Sequence, residues 1–339
     1  MLSSLWIMVL MNTVSLRRSA TAAAAVSLLL LAGCGSDDGG GDAAAAGDGE
    51  RLDVVAAFYP LQWAAQRIGG DRIEVSSLTA PGAEPHDLEL TPQDVAGVSD
   101  ADLLVYLGGF QSAVDEVAES QAGDHSWDAA GAADLSLTLE EDEHEEGEEH
   151  AEGEEHAEGE EHDHAGGVDP HFWLDPNRLA DVGDALAEQL AEIDPDGAET
   201  YEENAAALRE DLEALDQEMS DGLGDCAVDT LVTSHDAFGY LADRYGLEVV
   251  GISGLSPNTE PSASQLAEIS TLVAERGVTT VYTETLIDPS IAETVAAEAG
   301  VQTAVLDPIE GLTDESAGDD YLAVMRADLA TLEEGQSCS

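Results

Sequence analysis

An α/β fold of two lobes is predicted, each with a central, mainly parallel sheet flanked by helices, the two joined by one long linking helix. Three observations predict it. From Leu52 onward short apolar runs alternate with amphipathic helical runs, the spacing of βα units. The same rhythm restarts at Asp229. Between the two halves, Ala198 to Leu223 is acidic and unbroken, with Leu208, Leu212 and Leu215 on one helical stripe. About 26 residues at 1.5 Å each span nearly 40 Å, enough to run along a whole lobe.

In chain order, Leu52–Phe58 reads as a strand, Pro60–Ile68 as a helix and Ile73–Leu78 as a second strand, followed by the loop bearing His86. Thr91–Val98 reads as a helix opening on Thr-Pro, Asp102–Leu107 as a strand and Phe110–Glu119 as a helix. Leu135–Leu139 is expected to close the first sheet. Asn177–Ile193 is helical, with Leu179, Val182, Leu186, Leu190 and Ile193 at helical spacing, and Pro195 stops it. In the second half, strands are expected over Asp229–Thr233, Glu248–Ile252, Val278–Thr283 and Val301–Leu306. Helices are expected over Ala237–Tyr245, Ser262–Arg276, Ser290–Ala299 and Asp320–Leu332. The expected division is a first lobe over 51–177, connecting helices over 178–223 and a second lobe over 224–339.

The remaining stretches read as leader and loop. Arg17 and Arg18 precede the apolar run Ala20–Leu31, the pattern of a signal peptide over 1–33. Leu31-Ala-Gly-Cys34 resembles the lipobox of bacterial lipoproteins, in which the cysteine is acylated. Residues 34–50 would then form a flexible tether, against the alternative of an ordinary signal peptide with an incidental cysteine. The apolar Met1–Leu10 is best explained by a true start at Met11. Glu140 to Gly167 is low-complexity, placing His144, His150, His156, His162 and His164 among glutamates. Such a run buries too little apolar area to offset its ordering entropy and is expected to be disordered without metal. It reads as an auxiliary collector of cations, with a solvated acidic spacer as the alternative.

The chain has 339 residues and a formal charge of −63, from 73 acidic residues against 10 basic ones. That balance argues against nucleic acid, whose phosphates demand basic patches, and suits attraction of cations. A salt-tolerant or GC-rich source would produce the same bias. With Cys34 assigned to the lipid, Cys226 and Cys338 remain, and an exported chain with an even remainder suggests a bridge.

Three histidines stand in ordered surroundings: His86 in P-G-A-E-P-H-D-L-E-L, His171 in D-P-H-F-W-L-D-P and His235 in T-S-H-D-A-F-G-Y. None has the close spacing of H-E-x-x-H, so spacing alone is weak. However, His86 and His235 each follow an expected strand, one per half, and ligands of open parallel sheets gather at such loops. Imidazole suits borderline ions such as Zn²⁺, and carboxylates suit harder ones. Imidazole must be neutral to bind, so capture is expected to weaken as pH drops through about 6.5. Asp87, Asp175 and Asp236 adjoin these motifs and are candidates to orient the rings.

Together with L-D-P-I-E-G-L, these motifs resemble, in order and from about Leu52 to the C-terminus, the substrate-binding proteins of ATP-driven zinc and manganese importers. The chain is most similar to the zinc-uptake branch, a cluster A-I solute-binding family. The resemblance implies metal ligands at His86, His171 and His235, and a fourth at Glu310, with Asp307 or water as alternatives. Glu284 and Asp288 match a structural stretch better. It further implies Zn²⁺ rather than Mn²⁺, because the manganese branch replaces the third histidine with a carboxylate. The expected protein is a monomeric, lipid-anchored extracytoplasmic receptor with an ABC transporter permease as partner, and not an enzyme. A manganese or iron receptor, a surface adhesin and, more remotely, a zinc-dependent hydrolase are the alternatives.

Overall fold

In a computed structural model the described residues are 51–138 and 167–339. The expected leader, Cys34, the tether and the five histidines of the acidic loop lie outside them.

The first sheet holds β1 (Leu52–Ala56), β2 (Ile73–Ser77), β3 (Leu103–Tyr106) and β4 (Ser126–Asp128), in the order β2-β1-β3-β4. Its helices are α1 (Tyr59–Gly69), α2 (Pro92–Asp100), α3 (Ser112–Val117) and α4 (Ala130–Ala133). Two helices follow, α5 (Pro176–Ile193) and α6 (Ala198–Leu223). The second sheet holds β5 (Thr230–Thr233), β6 (Glu248–Gly251), β7 (Thr280–Thr283) and β8 (Gln302–Val305), in the order β6-β5-β7-β8. Around it lie α7 (Gly239–Tyr245), α8 (Ala263–Arg276), α9 (Ser290–Ala299) and α10 (Tyr321–Gly335). Every strand pair is parallel, and the two sheets share one winding. The α/β class, the paired sheets and the long helix of 26 residues are as the sequence led us to expect.

Local chemistry sets the boundaries. Thr91 caps α2 and Ser262 caps α8, each in a reciprocal capping box with the residue three positions on. Asp175 caps α5 by accepting from Asn177 N, and Pro176 fills its first turn. One element differs from expectation. The first sheet is closed by β4, a three-residue strand, and not by the stretch from Leu135. Leu135 onward alternates like a strand, but it makes only an isolated bridge, Thr138 to Val168. That bridge joins the two ends of the acidic loop three residues before His171.

The principal core does not stop at a lobe boundary. Leu208, Leu212, Leu215 and Met219 of α6 are buried with Leu61 and Ile68 of α1 and with Tyr321 and Met325 of α10, all at most 1% exposed. A smaller cluster under α8 and α9 includes Val232, Val281 and Val295. Lobes that share a core resist wide hinge opening, because opening would expose that apolar surface.

Polar joints reinforce the packing. Arg244 at the end of α7 gives two hydrogen bonds to Asp216 of α6, at 2.8 and 2.7 Å, and Tyr245 Oη adds a third at 3.1 Å. The Arg244 guanidinium holds the Asp216 carboxyl below the usual carboxylate range, against partial burial. A depressed native pKa stabilises the fold above the unfolded value, and that stability fades as pH falls through the native one. Asp216→Asn is therefore expected to cost about 1 kcal/mol at pH 7. The gap to wild type should begin to close below about pH 4 and vanish at lower pH. Denaturant melts over a pH series measure it; a gap that stays constant into acid would contradict the assignment.

Cys226 and Cys338 are joined, with an S–S distance of 1.98 Å. The bridge ties the segment before β5 to the chain's last turn, where Gln336 Nε2 also donates to Val228 O and Thr230 O.

Candidate metal centre

Parallel strands point their carboxyl ends one way, so the loops that leave them meet. The loop after β2 carries His86, the turn after β5 carries His235, and the segment after β8 carries Asp307 to Glu310. His171 arrives from the turn just before α5. The four side chains His86, His171, His235 and Glu310 have donor atoms all within 4.8 Å of one another.

The geometry is tighter than that limit. Glu310 Oε1 lies 3.1 Å from His86 Nε2, 3.0 Å from His171 Nε2 and 3.4 Å from His235 Nε2. His86 Nε2 and His171 Nε2 are 3.3 Å apart. A tetrahedral zinc with bonds of about 2.0–2.1 Å separates its ligand atoms by about 3.3 Å. These four contacts match four of the six edges of that tetrahedron, and the donor set of three imidazole nitrogens and one carboxylate oxygen fits zinc chemistry.

The far side of two rings is also specified. His171 Nδ1 lies 2.8 Å from Asp169 Oδ1, which also accepts from His171 N. His235 Nδ1 lies 2.7 Å from Glu284 Oε2, and His235 N donates to Glu284 Oε1 at 3.1 Å. Neither His235 ring nitrogen makes a well-angled hydrogen bond, although both lie close to carboxylate oxygens. Carboxylates on Nδ1 leave Nε2 free to ligate and raise its basicity.

Burial and charge compete at each group. Burial lowers the His86 pKa, outweighing the pull of Glu310. Burial also works against protonated His171 and His235. There, however, Asp169 with Glu310, and Glu284 with Glu310, outweigh it and hold the imidazoles above their usual range. Glu310 is fully buried, yet its three imidazole neighbours hold it well below the carboxylate range. A divalent cation between Glu310 and the three rings would be held by the carboxylate's charge and the imidazole lone pairs together.

The sequence-derived orienting candidates are corrected. Asp87 bonds Asn258, Asp175 caps α5, and Asp236 accepts from Gly251 N at 2.7 Å. The carboxylates against the rings are Asp169, two residues before His171, and Glu284, the residue after β7. Glu284, which the sequence places in a structural stretch, reaches His235 through the β5-β7 pairing. Asp307, the alternative to Glu310, faces away, accepting from Ile309 N at 2.8 Å and from Thr285 Oγ1 at 3.1 Å. Asp288 accepts from Ser290 N at the head of α9.

Ile309, just before Glu310, is buried and adopts φ +57°. The left-handed region costs an L-residue about 1–2 kcal/mol, so neighbouring contacts must hold it there.

Three of the four side chains are essentially sealed, at 0–1% exposure, and His86 keeps 9%. Beside it a cleft of about 470 Å³ is lined by Glu84, Asp87, Asn258, Glu260 and Asp288. Burial, with Glu310 nearby, pushes the Glu84 carboxyl up to about 8. Among the described residues each arginine contacts a carboxylate, at Glu74, Asp211, Asp194, Asp134, Asp181, Asp216, Glu248 and Glu218. Described basic charge is thus locally neutralised, and the excess is anionic.

A family model described as zinc-uptake complex component A, periplasmic, matches residues 54–335. The chain is 37% identical over 287 residues to the zinc-binding protein AdcA of Streptococcus pyogenes serotype M3, covering 83% of this chain and 55% of that protein. It spans about half the length of that relative. It is 38% identical over 291 residues to the high-affinity zinc uptake system protein ZnuA of Bacillus subtilis, covering 84% of this chain and 88% of that one. The solved Zn(II)-bound ZnuA-like domain of Streptococcus pneumoniae AdcA is similar at 34% identity and TM-score 0.67, over 84% of this chain and 99% of that one. The laminin-binding protein Lmb of Streptococcus agalactiae, described as bifunctional with adhesin and metal-transporting activity, is similar at 30% identity and TM-score 0.70, with the same coverage. Sequence motifs, paired parallel sheets and relatives agree, and the chain belongs to the family of periplasmic zinc-uptake complex component A.

Proposed function

We propose that this chain is an extracytoplasmic receptor that captures Zn²⁺ at His86, His171, His235 and Glu310 and delivers it to an ABC-type permease. The observation that carries the reading is the convergence of four donor atoms, all within 4.8 Å of one another, with Glu310 Oε1 at 3.0–3.4 Å from each of the three imidazole Nε2 atoms. Three imidazoles favour zinc over manganese, which prefers more oxygen. A hydrolytic zinc keeps an open position for water. Four protein donors would complete the tetrahedron, which supports the receptor reading over the hydrolase.

In the same reading, Cys34 carries the lipid anchor, and a Streptococcus pneumoniae relative is named a zinc-binding lipoprotein. His144, His150, His156, His162 and His164 would raise the local zinc concentration near the neck formed by Thr138 and Val168. The proposed division is a first lobe over 51–177, connecting helices over 178–223 and a second lobe over 224–339.

Cells lacking the gene are expected to grow poorly under zinc limitation and to recover with the wild-type chain but not with His235→Ala. Full rescue by His235→Ala would remove the assignment. The anionic surface adds a kinetic expectation. Raising ionic strength from about 0.01 to 0.15 M should slow zinc association about tenfold or more and leave dissociation nearly unchanged. Stopped-flow measurements at both salts test it; a flat association rate would show that the charge does not steer the ion.

A further inference from the structure

The turn that presents Glu310 is held in its left-handed form by several contacts. Asp307 N donates to Asp328 Oδ1 at 3.0 Å, and Ile309 N donates to Asp307 Oδ1. Those bonds come from the second lobe. One comes from outside it: Trp173 Nε1 donates to Pro308 O at 2.8 Å. Trp173 is fully buried and stands two residues after His171. Its own carbonyl accepts from Tyr321 Oη of α10 at 2.5 Å. Trp173 therefore reaches the backbone beside Glu310 while its own backbone is continuous with His171.

We propose that Trp173 is a positioning residue for metal capture: its indole N–H locks the Asp307–Glu310 turn so that the Glu310 carboxylate points at the three imidazoles, and Tyr321 fixes Trp173 in turn. The proposal rests on the metal-site reading above. Without the indole bond the turn is free to relax from the disfavoured φ of Ile309, and Glu310 withdraws from the centre. Three imidazoles remain, so the site weakens without being abolished. A partner that separates Trp173 from Pro308 would lower the affinity by the same route.

Trp173→Phe removes the N–H but keeps a ring against Phe58 and Phe110, whose centroids lie 5.0 and 5.9 Å from that of Trp173. Zinc titration against a competing chelator is the measurement, on the full chain and on W173F, E310A and the double variant. W173F is expected to raise Kd about tenfold, which is about 1.4 kcal/mol. E310A is expected to raise it about 100-fold, and the double variant to bind within about twofold of E310A. Tyr321→Phe, a milder change that keeps the ring, should shift Kd in the same direction and also lose its effect in the E310A background. The visible absorption of bound Co²⁺ in W173F should move toward that of E310A, because both lose the same oxygen donor. A W173F penalty that persists undiminished in E310A would mean that the indole acts through general packing, and the proposal fails. It fails also if W173F and Y321F bind as wild type does. If wild type takes up no zinc, or E310A matches wild type, the metal-site assignment itself is at fault and the proposal falls with it.

Discussion

His171→Ala is expected to weaken zinc binding by at least about 100-fold. Structural zinc sites of four ligands bind with apparent free energies of about 10–16 kcal/mol, so one ligand accounts for roughly 3 kcal/mol. The loss at this position has a second source. Asp169 is 2% exposed and its Oδ1 faces His171 Nδ1 at 2.8 Å. Removing the ring leaves that buried carboxylate with only the backbone N–H of residue 171 as a donor, a cost on the order of 1–3 kcal/mol for the lost charged hydrogen bond. The fold is therefore expected to lose stability along with affinity. Isothermal titration and thermal melts on the same preparation separate the two. A variant that melts like wild type and binds zinc within about threefold of it would contradict the placement of His171 at the centre.

The second large effect concerns the disulfide. Cys226 and Cys338 are separated by 112 residues, and closing a loop of that length removes about 4–5 kcal/mol of unfolded-chain entropy in the chain-entropy account. Reduction, or the Cys226→Ser/Cys338→Ser double variant, is expected to lower the melting temperature on the order of 10 °C. Zinc stoichiometry should survive at lower temperature. The same joint is held by Tyr282 Oη donating to Gln336 Oε1 at 2.8 Å and by Thr279 Oγ1 donating to Gly335 O at 2.7 Å. Those contacts, with Gln336 Nε2 donating to Thr230 O, keep the end of α10 against β5 and β7, which lead to His235 and Glu284. Melts with and without reductant decide it. A shift below about 2 °C would mean that the bridge constrains little that these hydrogen bonds do not already hold.

The three histidines that meet in the structure each stand in a short rigid motif, His235 directly beyond β5 and His86 in the longer loop after β2. That Glu310 and not Asp307 joins the three histidines has no local signal in the sequence, and only the resemblance singles it out. The structure separates the two by the turn at Ile309, which points Glu310 inward while Asp307 is consumed by backbone and hydroxyl donors. The ring partners were not legible. Chain neighbours Asp87, Asp175 and Asp236 were natural candidates, but side chains next to a ligand in sequence point elsewhere in extended turns. Asp169 reaches back through a tight turn, and Glu284 arrives from 49 residues away through strand pairing. That pairing would have been recoverable from the doubled winding, had the strand order been fixed. In the fold, β4 was missed because three residues, Ser126 to Asp128, carry too little alternation to register. The Leu135 stretch alternates well but finds no edge to join beyond one bridge.

On the proposed reading, one ion is held at a single centre by groups from both halves of the chain. The most direct measurement is a crystal structure of the zinc-loaded protein, with anomalous scattering at the zinc edge. One strong peak is expected within about 2.0–2.2 Å of His86, His171 and His235 Nε2 and a Glu310 oxygen. A peak bonded to other residues, or no peak at this centre from protein soaked in micromolar zinc, would contradict it.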